Sequence, residues 1–312
     1  MMFPGQGSQS VGMLATLAAV EPVVGETFAE ASSVLGYDLW RLCQQGPEER
    51  LSETERTQPA MLAAGVSVWR AWTRRGGRTP AMMAGHSLGE YSALVCAGAI
   101  DFRAAVALVR QRGQAMQLAV PAGSGAMAAI LGLDDAEIEA ACGESAMGDV
   151  VQPVNYNSPG QLVIAGTAAA VARAIENCKA RGAKRAVLLP VSVPSHSALM
   201  KPAAEKMRAR IAGLAVQAPT IRVYAFDGGL HDTPAAIRDG LYRQLFNPVR
   251  WSAIVAAMIA AGAQQLIECG PGKVLAGLAR RAPGGRDLAI HAIDGADSMQ
   301  AALATATGSD NR

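Results

Sequence analysis

The chain has 312 residues, long for one domain and short for two; half are hydrophobic, 4% are aromatic and the net charge is +2. No basic stripe interleaved with aromatics points to nucleic acid, no apolar run reaches membrane-spanning length, and no signal peptide is evident. Five cysteines without a CxxC pair, and no His/Cys/Asp cluster at ligand spacing, predict reduced thiols, no metal and a cytoplasmic location.

From the N-terminus, "MMFPGQGSQS" reaches a Pro-Gly turn after three residues, which leaves almost no room for a strand. Residues 26–43 and 59–74 carry helical apolar spacing, the second ending at Gly76-Gly77, a plausible C-cap. "PAMMAGHS" reads as a short buried strand, residues 88–99 as the helix it feeds, and 102–119 as another helix with Arg110 and Arg112 in its middle. From 123 to 191 the rhythm is strand, helix, strand, turn at "NSPG", strand, helix with Thr167 as N-cap, strand. That βαββαβ order predicts a ferredoxin-like small domain inserted in a parallel α/β core formed by 1–122 and 192–312. His196 is expected between a strand and a helix, and 263–281 as strand, Gly-Pro-Gly turn and helix. The polar tail "TGSDNR" is expected to be disordered.

Chemistry concentrates at "AGHSLGEYSALVCAG", where Gly85-x-Ser87-x-Gly89 has the spacing of a nucleophile elbow. A strand, a tight turn and a helix place Ser87 in a strained, exposed position, with the helix N-terminus aimed at any oxyanion formed there. A serine needs a base. His86 is too close along the chain to aim at its neighbour, and His231 and His291 lack motif context. His196, in "VPSHS", lies where an open parallel sheet gathers its reactive groups. For the acceptor that fixes the tautomer of the histidine, Asp227, Asp239, Gln244 and Asn247 all stay open.

In "FPGQGSQ", Gly5 and Gly7 free the backbone around Gln6, so that its N–H can face an oxyanion opposite that of Leu88. Neither this loop nor "GPGKV" has dinucleotide or P-loop spacing. Arg112 is either a surface helix arginine or a clamp for a substrate carboxylate.

Taken together and in order, "FPGQGSQ", "TQPAM", "GHSLGEYSAL", "RG" at 112–113, "GAMAAI", "NYNSPGQLVIAG", "VSVPSHSALMKPAA", "QLFNPVRW" and "ECGPGKVL" resemble the bacterial malonyl-CoA:acyl-carrier-protein transacylases of type II fatty acid synthesis, from Phe3 to about Arg281. The resemblance implies an α/β-hydrolase-like core with a ferredoxin-like insert. It makes Ser87 the acylated nucleophile, His196 its base and Gln244 the acceptor that orients the histidine. Gln6 and Leu88 supply the oxyanion hole, Arg112 holds the malonyl carboxylate, and Gln58, Met116 and Asn157 line the pocket. It further implies a ping-pong cycle in a monomer, with malonyl-CoA and holo acyl carrier protein as substrates, no cofactor, and an acidic, transient carrier-protein partner. An arginine facing acetyl would be left as an unpaired buried charge, which disfavours that substrate.

Two stretches depart from the pattern. The first strand is cut to Met1-Met2, which is expected to expose a sheet neighbour, loosen the Gln6 loop and mark a start downstream of the true one. "VYAFDGGLHD" replaces an asparagine-containing run and is expected to alter a pocket wall. A thioester hydrolase on the same scaffold, and a docking module without activity, are the competing readings. For carrier docking, Lys179, Arg181, Lys184 and Arg185 form the densest basic cluster, with Arg280, Arg281 and Arg286 second.

Overall fold

A computed structural model describes residues 1–191 and 193–307; of the tail expected to be disordered, residues 308–312 lie outside the described residues. Two sheets organise the chain. The first is wholly parallel, in the order β7-β2-β1-β8-β9, from β1 Met2–Phe3, β2 Met82–Gly85, β7 Arg222–Tyr224, β8 Gln265–Cys269 and β9 Ala289–Ile293. β1 and β2 are buried throughout, which suits strands covered on both faces by helices. The N-terminal stretch thus does form a strand, against the expectation from its length. It is two residues long yet central, with Met2 opposite both Ala84 and Glu268. The pairing on both sides, invisible to local pattern, holds it in place.

The second sheet is antiparallel, in the order β4-β5-β3-β6, from β3 Gly125–Leu131, β4 Val151–Ser158, β5 Gln161–Thr167 and β6 Arg185–Leu188. Helices Asp135–Ala146 and Ala168–Ala180 pack on it through Ile138, Ala141, Val171, Ala174 and Cys178. Thr167 accepts the Ala170 N–H and so caps the second of these helices. Among the described residues, two main-chain hydrogen bonds tie this sheet to the segment around Val249. Tyr156 N–H donates to the Val249 carbonyl, and Val249 N–H to that of Val154.

Around the parallel sheet the helices follow the pattern with shifted boundaries. The stretch 26–43 is two helices, Pro22–Leu35 and Leu39–Gln45, broken where Gly36 takes φ 76°. The helix expected over 59–74 begins at Thr54 and accommodates Pro59 in its second turn. The helix Phe102–Gln117 crosses closely above its start: a Cβ on Gly113 would fall 2.6 Å from Glu55 Cα. Gly113 therefore seats Arg112 against the core. Before His196, β6 ends at Leu188, so an irregular segment rather than a strand delivers the histidine. No helix among the described residues is long and apolar enough to cross a membrane.

Candidate active site

The elbow is built by three glycines. A Cβ on Gly85 would lie 1.9 Å from the Gly89 carbonyl carbon, one on Gly89 2.0 Å from Phe3 O, and one on Gly5 2.5 Å from His86 O. The "FPGQG" loop, β2 and the helix Gly89–Cys96 can meet only because all three side chains are absent. Ser87 at the apex has φ 52°, a left-handed conformation that L-residues rarely adopt and that stores strain at a functional turn. The Leu88 N–H stands at the N-cap of the following helix, where main-chain donors lack intrahelical partners. Close contact between Gly5 and the elbow brings the Gln6 main chain alongside. The Gln6 side chain instead donates to Thr54 Oγ1 at 3.4 Å.

His196 also has a positive φ, 64°, and is buried. Its Nε2 lies 2.7 Å from Ser87 Oγ and its Nδ1 2.7 Å from the main-chain oxygen of Gln244. A carbonyl can only accept, so Nδ1 carries the proton and Nε2 is left to take the serine hydroxyl's. Burial, and next the nearby Arg112 cation, lower the His196 pKa to about 3; the Gln244 carbonyl opposes this. The imidazole is therefore neutral at physiological pH. Of the four acceptors that the sequence left open, the position is held by Gln244, through its main chain and not its amide. Asp227 and Asp239 both pair with Arg243 instead; the Asn247 side chain donates to the Arg243 carbonyl, and its main chain adds a smaller support to His196.

The Gln244 amide has other work. Its Oε1 accepts from Arg112 Nη2 at 3.0 Å; its Nε2 donates to Ser87 O at 3.0 Å and to Glu90 Oε2 at 2.7 Å. Arg112 is 1% exposed, 5.5 Å from the Tyr91 ring, and its Nε has no hydrogen-bond partner among the described residues. Burial lowers its pKa, opposed by Tyr91 and Glu90. It is no surface arginine, and an unpaired guanidinium N–H in a buried setting suits an incoming carboxylate. Gln58 is buried, donating to Met116 Sδ at 3.4 Å with its Oε1 unpartnered among the described residues. Asn157 Oδ1 lies 2.8 Å from His86 Nε2, and the His86 ring meets Trp251 edge-on. His86 thus belongs to the wall, and burial lowers its pKa.

Two buried residues meet at the site without any local signal that pairs them. Glu90 and His231, 141 positions apart, approach to 2.6 Å. Tyr224, Ala225 and Phe226, in the atypical segment, are core residues: Phe226 packs with Met2 and Trp251, and its carbonyl accepts the Arg250 N–H. In the first basic cluster, Arg181 is taken up by Glu137 and Glu144, and Lys179 by Glu176. In the second, Arg280 donates to the Ile290 carbonyl.

Comparison with known proteins adds four likenesses. The acyl transferase domain family matches residues 1–288. A malonyl CoA-acyl carrier protein transacylase of Escherichia coli is 59% identical over 303 residues, 97% of each chain. Among solved structures, an acyl carrier protein S-malonyltransferase of Vibrio cholerae is 57% identical with TM-score 0.93 over 96% of this chain and 98% of that one. A malonyl-transacylase in complex with its type II PKS acyl-carrier protein is 56% identical with TM-score 0.96 over 98% of each.

Proposed function

From the premise that this chain belongs to the acyl transferase family, we infer how its site carries out malonyl transfer. The chain is a malonyl-CoA:acyl-carrier-protein transacylase that supplies fatty acid synthesis. Its core is read as α/β-hydrolase-like and residues 123–191 as a ferredoxin-like insert, supported by the all-parallel order of the first sheet and the β4-β5-β3-β6 order of the second. It works as a cytoplasmic monomer, without a cofactor beyond its thioester donor and its thiol acceptor.

Ser87 Oγ attacks the thioester carbonyl while His196 Nε2 takes its proton. The main-chain N–H groups of Gln6 and Leu88 receive the oxyanion, an interaction of about 3–4 kcal/mol per donor where it has been measured. Collapse expels the CoA thiolate, which takes the proton from His196 and leaves a malonyl ester on Ser87. The phosphopantetheine thiol of holo acyl carrier protein then gives its proton to His196, attacks the ester, and regenerates the serine by the same steps in reverse. Gln58, Met116 and Asn157 bound the acyl pocket. Docking of the acidic carrier falls to Lys184 and Arg185, because Lys179 and Arg181 are already neutralised locally.

The observation that carries this reading is the buried Arg112, whose Nε has no hydrogen-bond partner among the described residues, beside the Ser87–His196 couple. Intact mass after mixing with malonyl-CoA tests it: the wild type gains one malonyl group and Ser87→Ala gains none. A wild type without an adduct, or an adduct on the alanine variant, refutes the mechanism.

A further inference from the structure

Beneath the reacting groups runs a buried polar chain that the acyl-transfer cycle does not itself use. Glu90, in the first turn of the helix after the elbow, is fully buried. One of its oxygens accepts from the Gln244 amide; the other lies 2.6 Å from His231 Nε2. His231 is 2% exposed, and its Nδ1 has no hydrogen-bond partner among the described residues. Among the described residues, its single side-chain polar contact is therefore the Nε2–H donated to Glu90. The fold makes room for the ring: a Cβ on Gly240, in the helix Pro234–Arg243, would sit 2.5 Å from His231 Cε1.

An apolar side chain could fill that space as well, but Glu90 could not then stay as it is. A buried carboxylate without its donor either takes up a proton or turns toward another cation. The near cation is Arg112, whose charge already feels Glu90. A Glu90 released from His231 would compete with the substrate carboxylate for that guanidinium. It would also loosen the Gln244 amide, whose three hydrogen bonds include those to Arg112 and Glu90.

We propose that His231 is a positioning residue for malonyl selection: it holds Glu90 on Gln244 and away from Arg112, so that Arg112 stays open to the substrate carboxylate. The inference rests on the malonyl-transfer reading above. Malonylation of the wild type tests that reading, whereas ratios between variants and wild type test the role of His231.

The experiment compares wild type with His231→Leu, which fills the volume without a donor, and His231→Gln, which returns an N–H near the place of Nε2. For each, kcat and KM are measured with malonyl-CoA and acetyl-CoA, alongside a thermal melt. Loss of one hydrogen bond to a charged group predicts about a tenfold fall in malonyl kcat/KM for the leucine variant, chiefly through KM. The malonyl-over-acetyl ratio narrows by a similar factor, and His231→Gln restores both to within about threefold. Equal losses on the two substrates, or a glutamine variant as impaired as the leucine one, would overturn the proposal. If the leucine variant does not fold, Glu90→Gln with and without His231→Leu decides: with the competing charge removed, the ratio is expected to change by less than about threefold on adding His231→Leu, and a further drop of about tenfold refutes the idea.

Discussion

Replacing Arg112 by alanine is expected to cost malonyl transfer far more than acetyl transfer. The guanidinium is 1% exposed, is anchored through Nη2 to Gln244 at 3.0 Å, and presents Nε without a partner among the described residues. A malonyl carboxylate can take two N–H groups from such a fork, each charge-assisted bond contributing about 1.5–3 kcal/mol. Their loss, about 3–6 kcal/mol together, corresponds to a fall of about 10²–10⁴ in malonyl kcat/KM at about 1.4 kcal/mol per tenfold. Acetyl-CoA has no carboxylate to lose, and the variant removes an unmatched buried cation from its path. Acetyl kcat/KM therefore stays within about tenfold of wild type or rises. Steady-state transfer to holo carrier protein with each donor measures both numbers, and a thermal melt corrects for the Gln244 Oε1 left without its donor. Parallel losses on the two donors would mean that Arg112 only supports the fold, and the reasoning would fail.

Two further outcomes follow from the elbow and its base. Because the folded pKa of His196 is about 3, the base stays neutral well below the ordinary histidine value, so kcat/KM should be flat from about pH 8 to about pH 5. The folded protein declines a proton that the unfolded chain accepts below about 6.5, so this residue's share of stability is intact above that value and is lost as pH falls toward about 3. An acid limb centred near 6.5 in kcat/KM would contradict the burial argument. Gly89→Ala pushes a methyl group to 2.0 Å from Phe3 O, and main chain cannot swing aside as a side chain can. A loss of about 3 kcal/mol or more, roughly 5 °C in Tm, is expected together with slowed acylation of Ser87. A variant melting with the wild type would show that the loop and the elbow are not in contact.

What could be read in the sequence was what local geometry dictates. Gly85, Ser87 and Gly89 encode the elbow because each glycine answers a close approach within a few residues or across one strand pair. The βαββαβ rhythm was legible for the same reason, since each element carries its own period. β1 was not, because two residues have no period and their strand character comes from neighbours 82 and 266 positions along, Ala84 and Glu268. Sequence could name Gln244 as a partner of His196, but not choose between its main-chain and amide oxygens, a choice made by the 3-10 turn Gln244–Phe246. Glu90 and His231 were out of reach, because nothing near either residue signals that they meet. Charge counted along the chain does not reveal local pairing: Arg181 and Lys179 meet acids in space, whereas the count treats them as equal to Lys184 and Arg185.

The position of Arg112 joins specificity to basicity. Its cation is the second cause, after burial, of the depressed pKa of His196. A carboxylate seated on the guanidinium cancels much of that charge, and any such cancellation moves the imidazole back toward its ordinary value. General-base catalysis gains as the base pKa approaches the working pH. Seating malonyl on Arg112 is therefore expected to make His196 a better base than acetyl does, which the pH dependence of kcat with the two donors checks. Discrimination is then expected on kcat as well as on KM. Gln244 touches both groups and fixes their separation, with its amide on Arg112 and its carbonyl on His196.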